Sequence, residues 1–195
     1  MTRRIVIAIT GASGSIYGVR LLEALREEPD IETHLVVSKA GMLNVSVELD
    51  MDRGQLEALA DVVHSDRDIA ASVASGSFRT DGMIIAPCSM KTLASIATGV
   101  ADTLVARAAD VAFKERRRVV LLVRETPLHL VHLRNMTTVT ELGGIVFPPV
   151  PAFYANLDSI DAMVDQTVGR VLDLFDVDSP RLRRWTGLRD REDST

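Results

Sequence analysis

Short apolar runs rich in valine and isoleucine alternate along the chain with longer segments in which apolar residues recur at helical spacing. The runs predict strands at residues 5–9, 32–37, 83–86, 119–123 and 144–147. Helices are predicted after the first strand, after Ser89, and at 55–63, 101–116, 127 to about 142 and 160–172. Strands that are apolar on both faces, each followed by a helix, indicate a parallel sheet covered on both sides. The predicted fold class is therefore α/β, a three-layer doubly wound parallel sheet in a single domain.

Composition and charge restrict the function classes. The chain has 195 residues, of which 47% are hydrophobic, and its net charge of −5 argues against a general nucleic-acid binder, which presents a basic face. Cys88 is the only cysteine, so no intrachain disulfide can form, and this fits a reducing compartment. The apolar run at 5–9 is too short for a signal sequence, and no segment is long enough to span a membrane. We therefore expect a cytoplasmic protein.

Small hydroxyl residues, glycines and basic residues follow four of the predicted strands. Ligands of an open parallel sheet bind outside the carboxyl ends of its strands, and free N–H groups at helix starts favour anions there. Each of these hydroxyl residues could serve only as a helix cap, but their convergence on one edge favours a crevice for a phosphorylated ligand. The segments are Thr10-Gly-Ala-Ser-Gly-Ser, Ser38-Lys, Pro87-Cys-Ser-Met-Lys-Thr and Arg124-Glu-Thr-Pro.

Several common phosphate-binding motifs are absent from the sequence. Gly11, Gly14 and Gly18 do not have the spacing of the dinucleotide fingerprint, and the second strand ends in Ser38 rather than in an acid for the ribose hydroxyls. The P-loop pattern is missing, which argues against ATP hydrolysis. No paired aspartate motif is present that could hold a magnesium diphosphate. A hydroxyl at position 38 suits a phosphate or the edge of a flavin better than a ribose diol.

Arg124 and Glu125 are the strongest candidates for chemistry, because they directly follow the most continuous apolar run. At a strand end that faces a crevice, arginine can bind an oxyanion while glutamate moves a proton. The alternative is a mutual surface pair, which would contribute little. We favour the functional interpretation.

Other polar residues show less specific patterns. Arg107 and Lys114 share one face of a predicted helix, which is typical of a solvated face. Glu48 is a lone acid in an apolar stretch and fits either a structural or a functional role. His129 and His132 have the spacing of a metal pair, but no third ligand is suitably placed, so no metal site is predicted.

Several long motifs occur in an order that resembles the flavin prenyltransferase family, also called UbiX-type. The motifs are Thr10-Gly-Ala-Ser-Gly-Ser-Ile-Tyr-Gly, Ala86-Pro-Cys-Ser-Met-Lys-Thr-Leu, Arg107-Ala-Ala-Asp-Val-Ala-Phe-Lys-Glu-Arg-Arg, Val123-Arg-Glu-Thr-Pro-Leu and Pro151-Ala-Phe-Tyr, followed by a helix with Arg170. The resemblance covers all but the last few residues. It implies a flavodoxin-like, Rossmann-like sheet, an FMN-binding domain at 1–178 and a tail at 179–195 that covers the active site.

The resemblance also implies a reaction and its residues. A dimethylallyl group passes from dimethylallyl monophosphate to N5 and C6 of reduced FMN, without a metal. Glu125, Ser13 and Glu48 are the implied catalytic residues, with Glu125 relaying a proton to the leaving phosphate and Ser13 orienting the flavin. The implied FMN-binding residues are Gly11, Ala12, Ser13, Ser38, Ser89, Met90, Lys91, Thr92 and Arg124. The implied substrate-binding residues are Arg107, Lys114, Tyr154, Arg170 and Trp185, with Arg107 reaching across from a neighbouring subunit.

The implied partners are a UbiD-type decarboxylase that receives prenylated FMN, in ubiquinone biosynthesis or aromatic acid breakdown, and further copies of the chain in a dodecamer. Neither nucleic acid nor membrane is expected as a partner. Two alternatives stay open, a flavin-dependent decarboxylase of cysteine-like substrates and a non-catalytic FMN carrier. The segment Pro87-Cys-Ser-Met differs from the decarboxylase pattern, and a carrier has no use for Glu125. One departure from the family lies at residues 75–78, where some members carry a tryptophan and this chain has none.

Overall fold

A computed structural model describes residues 2–187 of the chain. Six parallel strands form one sheet in the order β3-β2-β1-β4-β5-β6. The strands are β1 (Arg3–Ile9), β2 (Ile31–Val37), β3 (Val62–Ser65), β4 (Gly82–Cys88), β5 (Arg118–Val123) and β6 (Ile145–Val146). The order reverses between β1 and β4, and this switch point is where a doubly wound sheet opens a crevice at its carboxyl ends. The predicted α/β fold is confirmed.

Helices connect the strands, and most of them begin at a polar capping residue. The helices are α1 (Ile16–Leu25), α2 (Lys39–Leu49), α3 (Arg53–Glu57), α4 (Met90–Thr98), α5 (Leu104–Lys114), α6 (Leu130–Glu141) and α7 (Ile160–Asp173). Side chains of Ser38, Asp52, Ser89, Thr103 and Ser159 accept a backbone N–H of the first turn of α2, α3, α4, α5 and α7. Short 3-10 turns lie at Ser72–Ala74 and Phe153–Ala155.

Both faces of the sheet are covered, as the apolar strands predict. Alternate residues such as Val6 and Ile85 belong to an apolar core with Leu93 of α4 and Ala108 of α5. On the opposite face α1 packs so closely that a Cβ at Gly18 would lie 2.4 Å from the carbonyl oxygen of Ala86. The side chains of the four central strands are buried except at or near the strand starts, where Arg3, Arg4, Glu32 and Arg118 are partly or fully exposed.

Between β2 and β4, one sequence prediction is wrong and one helix was missed. Residues 55–63 were expected to form one helix, but the structure has the short helix α3 and then β3, an edge strand of four residues. Helix α2 was not predicted, because Leu43 and Val47 are exposed whereas Gly41 and Val45 are buried, so its apolar residues do not mark one face.

The chain divides into two compact units, one up to Pro149 and one from Val150. The first contains the whole sheet and helices α1 to α6, and the second contains α7 with the loop before it and the segment after it. The boundary predicted at residue 178 stays a prediction. Over residues 2–187, no helix combines the length and the apolar character that crossing a bilayer requires.

Candidate active site

A cleft with a volume of about 1400 Å³ opens at the carboxyl ends of the strands, in the first unit. Residues after β1, β2, β3, β4 and β5 contribute to its walls, together with the starts of α2, α4 and α5. The predicted site residues that line it are Gly11, Ser38, Ser89, Met90, Lys91, Thr92 and Glu125. The cleft therefore brings together residues from all four predicted segments.

Thr10 joins the turn after β1 to the turn after β4. Its side chain is buried, and its Oγ1 donates to the carbonyl oxygen of Pro87 at 2.8 Å and accepts from the backbone N–H of Ser89 at 2.9 Å. The backbone N–H of Thr10 donates to the same Pro87 oxygen at 3.2 Å. These bonds hold the glycine-containing turn after β1 against Pro87 and Ser89 at the end of β4. The sequence pattern placed Thr10 at a strand end but gave no sign of this role.

The start of α2 lies against the end of β1 because two glycines allow it. A Cβ at Gly41 would lie 2.3 Å from the carbonyl oxygen of Ile9, and a Cβ at Gly11 would lie 2.5 Å from Cβ of Ala40. Both distances are shorter than side chains tolerate, so larger residues would push the helix away from the strand. Ser38 caps this helix by accepting the N–H of Gly41 at 3.0 Å.

Two helix starts point their N–H groups toward the cleft from neighbouring positions. α2 begins after Ser38, and α4 begins after Ser89, whose Oγ accepts the N–H of Thr92 at 3.3 Å and lies 3.1 Å from its Oγ1. Lys91, in the first turn of α4, is exposed on the cleft wall. Unsatisfied N–H groups, hydroxyls and an ammonium group together suit the phosphate of a ligand.

Glu48 holds the glycine turn. Its Oε2 accepts from the N–H of Gly14 at 3.0 Å, the N–H of Ser15 at 2.9 Å and the hydroxyl of Ser15 at 2.7 Å. Burial raises the pKa of Glu48, but the bonds from Ser15 and Gly14 help to outweigh it and hold the pKa below its usual value. Glu48 is therefore an acceptor that fixes the turn directly after Ser13. Neither residue is among those that line the cleft.

Arg124 and Glu125 lie where the sequence predicts them, directly after β5. The N–H of Arg124 reaches the carbonyl oxygen of Cys88 at 3.4 Å, which extends the pairing of β5 with β4. Both side chains are exposed, and Glu125 lines the cleft while its Oε1 accepts the N–H of Thr126 at 3.1 Å. Cys88 is fully buried, and burial raises the pKa of its thiol far above the usual value, so it is no nucleophile.

The two predicted substrate residues of α5 are not in the cleft wall. Arg107 pairs with Asp110 at 2.7 Å on the same helix. Lys114 pairs with Glu115 at the far end of α5, next to Gly76. Because α5 begins at the cleft, Lys114 lies about 15 Å from it along the helix axis at 1.5 Å per residue. One copy of the chain does not bring Lys114 to its own cleft.

The remaining predicted substrate residues belong to the second unit. Trp185 lies edge-on to Tyr154 with ring centroids 5.8 Å apart. Arg170 pairs with Asp173 on α7, and Asp173 also binds Arg184. Hydrogen bonds from Arg184 and charges of both arginines hold the pKa of Asp173 below its usual value.

A histidine pair at the cleft, formed by the buried His34 and the half-buried His64, was missed by the sequence analysis. His64 of β3 lines the cleft, and its Nε2 is 2.9 Å from Nδ1 of His34. The other nitrogen of His34 is 2.8 Å from Glu32, which binds Arg4 at 2.7 Å. Burial and the neighbouring His34 lower the pKa of His64. Glu32 and His34 are polar residues two positions apart in a mostly apolar strand, and this pattern could have drawn attention to the pair.

No cluster of three or more histidine, cysteine, aspartate or glutamate side chains suited to a metal ion occurs among the described residues. His129 and His132 stack on each other with ring centroids 3.5 Å apart, and His129 caps α6. His129 thus lies at the start of α6 as its cap, and His132 lies in the first turn of the same helix.

Comparisons with known proteins agree with this geometry. The family model described as Flavoprotein matches residues 1–172. The flavin prenyltransferase UbiX of Escherichia coli (strain K12) is 55% identical over 187 residues, which cover 95% of this chain and 99% of that protein. A probable UbiX-like flavin prenyltransferase of Streptomyces sp. (strain D7) is 53% identical over 186 residues, covering 95% of this chain and 93% of the relative.

Solved structures give the same result. AnUbiX (PadA1), crystallised in complex with FMN and dimethylallyl pyrophosphate, matches with a TM-score of 0.94 and 54% identity over 96% of this chain and 100% of that one. A dodecameric FMN-dependent UbiX-like decarboxylase from Escherichia coli O157:H7 matches with a TM-score of 0.93 and 49% identity over 94% and 100%. The predicted resemblance and enzyme class are confirmed. The chain thus belongs to the Flavoprotein family and, within it, to the flavin prenyltransferases.

Proposed function

We propose that the chain transfers a dimethylallyl group from dimethylallyl monophosphate to N5 and C6 of reduced FMN held in the cleft. The observation that carries the proposal is the convergence of Gly11, Ser38, the Ser89–Thr92 segment and Glu125 on one cleft in a chain 55% identical to a flavin prenyltransferase. A cleft of about 1400 Å³ exceeds the roughly 300–1,000 Å³ of an ordinary ligand pocket, so it has room for a flavin and a five-carbon substrate.

The residues present fit FMN. The starts of α2 and α4 offer N–H groups, and the hydroxyls of Ser38, Ser89 and Thr92 with Lys91 offer further donors to a phosphate. Ala12, Met90 and Arg124 complete the proposed binding residues. The reduced flavin, when bound, supplies the electron-rich N5 and C6 positions that accept the prenyl carbon.

Ser13 and Glu48 are proposed to act together at the flavin. The Glu48 carboxylate accepts hydrogen bonds from Gly14 and Ser15, and so it fixes the turn that carries Ser13. An ionised acceptor of this kind can take a proton through the serine when the carbon at C6 loses one. Because the pKa of Glu48 lies below its usual value, it is in the accepting form at neutral pH.

Glu125 is proposed to give a proton to the departing phosphate. It lines the cleft next to Arg124, whose guanidinium can stabilise the negative charge that develops on the leaving oxygens. A cation and a proton donor at one strand end reduce the need for a metal. A monophosphate also carries less charge to neutralise than a diphosphate.

The proposal assigns the substrate phosphate to Arg107, Lys114, Tyr154 and Arg170, with Trp185 as the tail aromatic that covers the site. Lys114 lies at the far end of α5 from its own cleft, so a neighbouring copy has to supply it. The dodecameric assembly of one relative supports a homo-oligomer here. Delivery of the product to a UbiD-type decarboxylase belongs to the same proposal, and the cytoplasmic location stays a prediction.

The test uses purified protein, dithionite-reduced FMN and dimethylallyl monophosphate under anaerobic conditions. We expect the extracted flavin to gain the mass of one C5 prenyl unit. Glu125→Gln should lower the rate of this gain by about 100-fold, as the loss of a general acid does, with FMN affinity unchanged. Glu27→Gln, which changes an exposed acid outside the cleft, is the matched control and should behave as wild type.

Unmodified flavin despite tight FMN binding would overturn the transferase proposal. Release of carbon dioxide from a cysteine-like substrate by the same preparation would then favour the decarboxylase. FMN binding with neither reaction would favour the carrier.

A further inference from the structure

Gln166 of α7 is almost fully buried, yet it is polar and lies outside every motif of the sequence analysis. Its side chain makes a two-bond contact with a single residue of the segment that follows the helix. Oε1 accepts the backbone N–H of Arg183 at 2.8 Å, and Nε2 donates to the carbonyl oxygen of Arg183 at 2.8 Å. Because the backbone N–H can only donate, this pairing fixes which end of the carboxamide is oxygen.

Residues 180–185, here called the tail segment, follow one face of α7. Gln166, Gly169 and Asp173 recur on that face at helical spacing. A Cβ at Gly169 would lie 2.9 Å from Cβ of Leu182, so the glycine lets the tail segment approach closely. Arg184 pairs with Asp173 one turn further along. Arg181 also pairs with Asp165 at 3.7 Å. The tail segment is thus docked along two turns of α7, and Gln166 is the almost fully buried polar side chain in that contact.

The same carboxamide reaches the loop before α7. Nε2 of Gln166 also donates to Oη of Tyr154, at 3.4 Å. Arg183, which Gln166 holds by its backbone, donates from its guanidinium to the carbonyl oxygen of Ala155 at 2.9 Å. Trp185, two residues on, lies edge-on to Tyr154. Gln166 therefore joins the tail segment and Tyr154 through one side chain.

Buried amides are costly to leave unsatisfied, and this cost makes the three bonds interdependent. If the tail segment leaves, Gln166 loses both partners on Arg183 and retains only the longer bond to Tyr154. Its carboxamide would then turn toward water, and the tyrosine would lose its donor and the aromatic edge of Trp185 together. The position of Tyr154 is thus coupled to the docking of the tail segment.

We propose that Gln166 is a positioning residue that clamps the tail segment to α7 and, by the same contact, holds Tyr154 in the orientation in which it binds the substrate phosphate. The positioning part rests on the proposed function, and the clamp does not. Gln166 acts through Tyr154 and Arg183 and has no contact of its own with the reacting atoms in this scheme.

The test compares Gln166→Met with wild type in the full-length chain, because methionine keeps the length and the helical preference but offers no hydrogen bond. Trp185 is the only tryptophan, so its fluorescence reports the tail segment directly. We expect a red shift and an acrylamide quenching constant about twofold higher, because docking covers half of the indole. KM for dimethylallyl monophosphate should rise about tenfold with kcat within about twofold, as expected when binding of the phosphate is lost equally in ground and transition state. The Kd for FMN should not change.

Thr167→Val is the matched control, since Thr167 is the buried neighbour of Gln166 but bonds only the carbonyl oxygen of Met163 in its own helix. A chain ending at Ser179 is the second variant, and it removes the tail segment without changing Gln166. In that shortened chain, Gln166→Met should raise KM by less than about twofold, because the tail through which it acts is gone.

Unchanged Trp185 fluorescence in Gln166→Met would overturn the clamp. Released fluorescence with an unchanged KM would overturn the positioning role, and so would a full tenfold effect of the substitution in the shortened chain. If wild type itself does not prenylate FMN, the proposed function fails, whereas the fluorescence comparison still decides whether Gln166 holds the tail segment.

Discussion

The cleft and the tail segment are held in place by different kinds of contact. At the cleft, backbone groups and short side chains make the decisive bonds, as Thr10 does between two strand ends and Gly41 does against Ile9. The tail segment is held instead by side chains, namely the buried Gln166 and surface ion pairs such as Arg184 with Asp173. Backbone-dominated regions tolerate almost no change of volume, whereas side-chain contacts at a surface can be lost singly at low cost.

The largest expected effect is at Gly41. We expect Gly41→Ala to cost about 3 kcal/mol of unfolding free energy, because the new Cβ would lie 2.3 Å from the backbone oxygen of Ile9 and neither element can move alone. FMN affinity should fall with it, since the start of α2 would shift. Denaturant unfolding and flavin titration measure the two quantities.

Gly54→Ala is the control for that substitution, because Gly54 also lies in a helix start but its Cβ would meet only a side-chain oxygen at 3.3 Å. A Gly41→Ala variant as stable as Gly54→Ala would show that the start of α2 is less tightly packed than its distance to β1 indicates.

An intermediate effect is expected at Glu48, and it depends on pH. The pKa of Glu48 is lower in the folded than in the unfolded chain, so the bonds it accepts stabilise the fold above the unfolded value of about 4.3 and are lost as the pH falls through the folded value. Glu48→Gln should therefore be less stable than wild type at pH 7, and the difference should shrink as the pH falls below the unfolded value.

Thermal unfolding followed over that pH range measures the difference, with Glu27→Gln as a control whose curve should parallel wild type. A Glu48→Gln variant that loses stability on acidification as steeply as wild type would contradict the role of the carboxylate in holding the turn.

The smallest effect is expected at the surface of the tail segment. Arg184 is largely exposed and pairs with Asp173, so Arg184→Ala should leave the melting temperature unchanged within error. Circular dichroism melting checks this, and adding salt to wild type should have equally little effect. A clear drop in melting temperature would contradict this expectation. It would show that a surface ion pair of the tail segment cannot be lost at low cost, and the contrast with the cleft would then disappear.

The same contrast explains how much the sequence could predict. Five strands and the fold class follow from apolar runs, since buried parallel strands leave a strong pattern. Gly11, Ser38 and Ser89 could be placed at the cleft because strand ends in such a sheet share one edge. β3 was missed because it is a four-residue edge strand in which His64 and Ser65 break the apolar run.

Other features depend on tertiary contacts that no local pattern records. Thr10 reads as one more hydroxyl in a glycine turn, and its bonds to the β4 turn cross 77 and 79 positions of the chain. The pairing of Arg184 with Asp173, 11 positions away, depends on how the chain turns back along α7. Gln166 resembles an ordinary helix residue until its burial is known.

The length of α5 has a consequence for inheritance and expression. In the proposed assembly each chain lends the Lys114 end of its helix to a neighbour's cleft, so a defective copy damages a site that it does not itself carry. In a cell that makes both a sound and a Lys114-deficient copy, each sound copy would complete one cleft of the mixed assemblies, whichever kind of chain carries that cleft. The number of working sites would equal the number of sound copies, so such a mutation would not be dominant, and a copy with a defective cleft could be complemented by a copy that lacks Lys114.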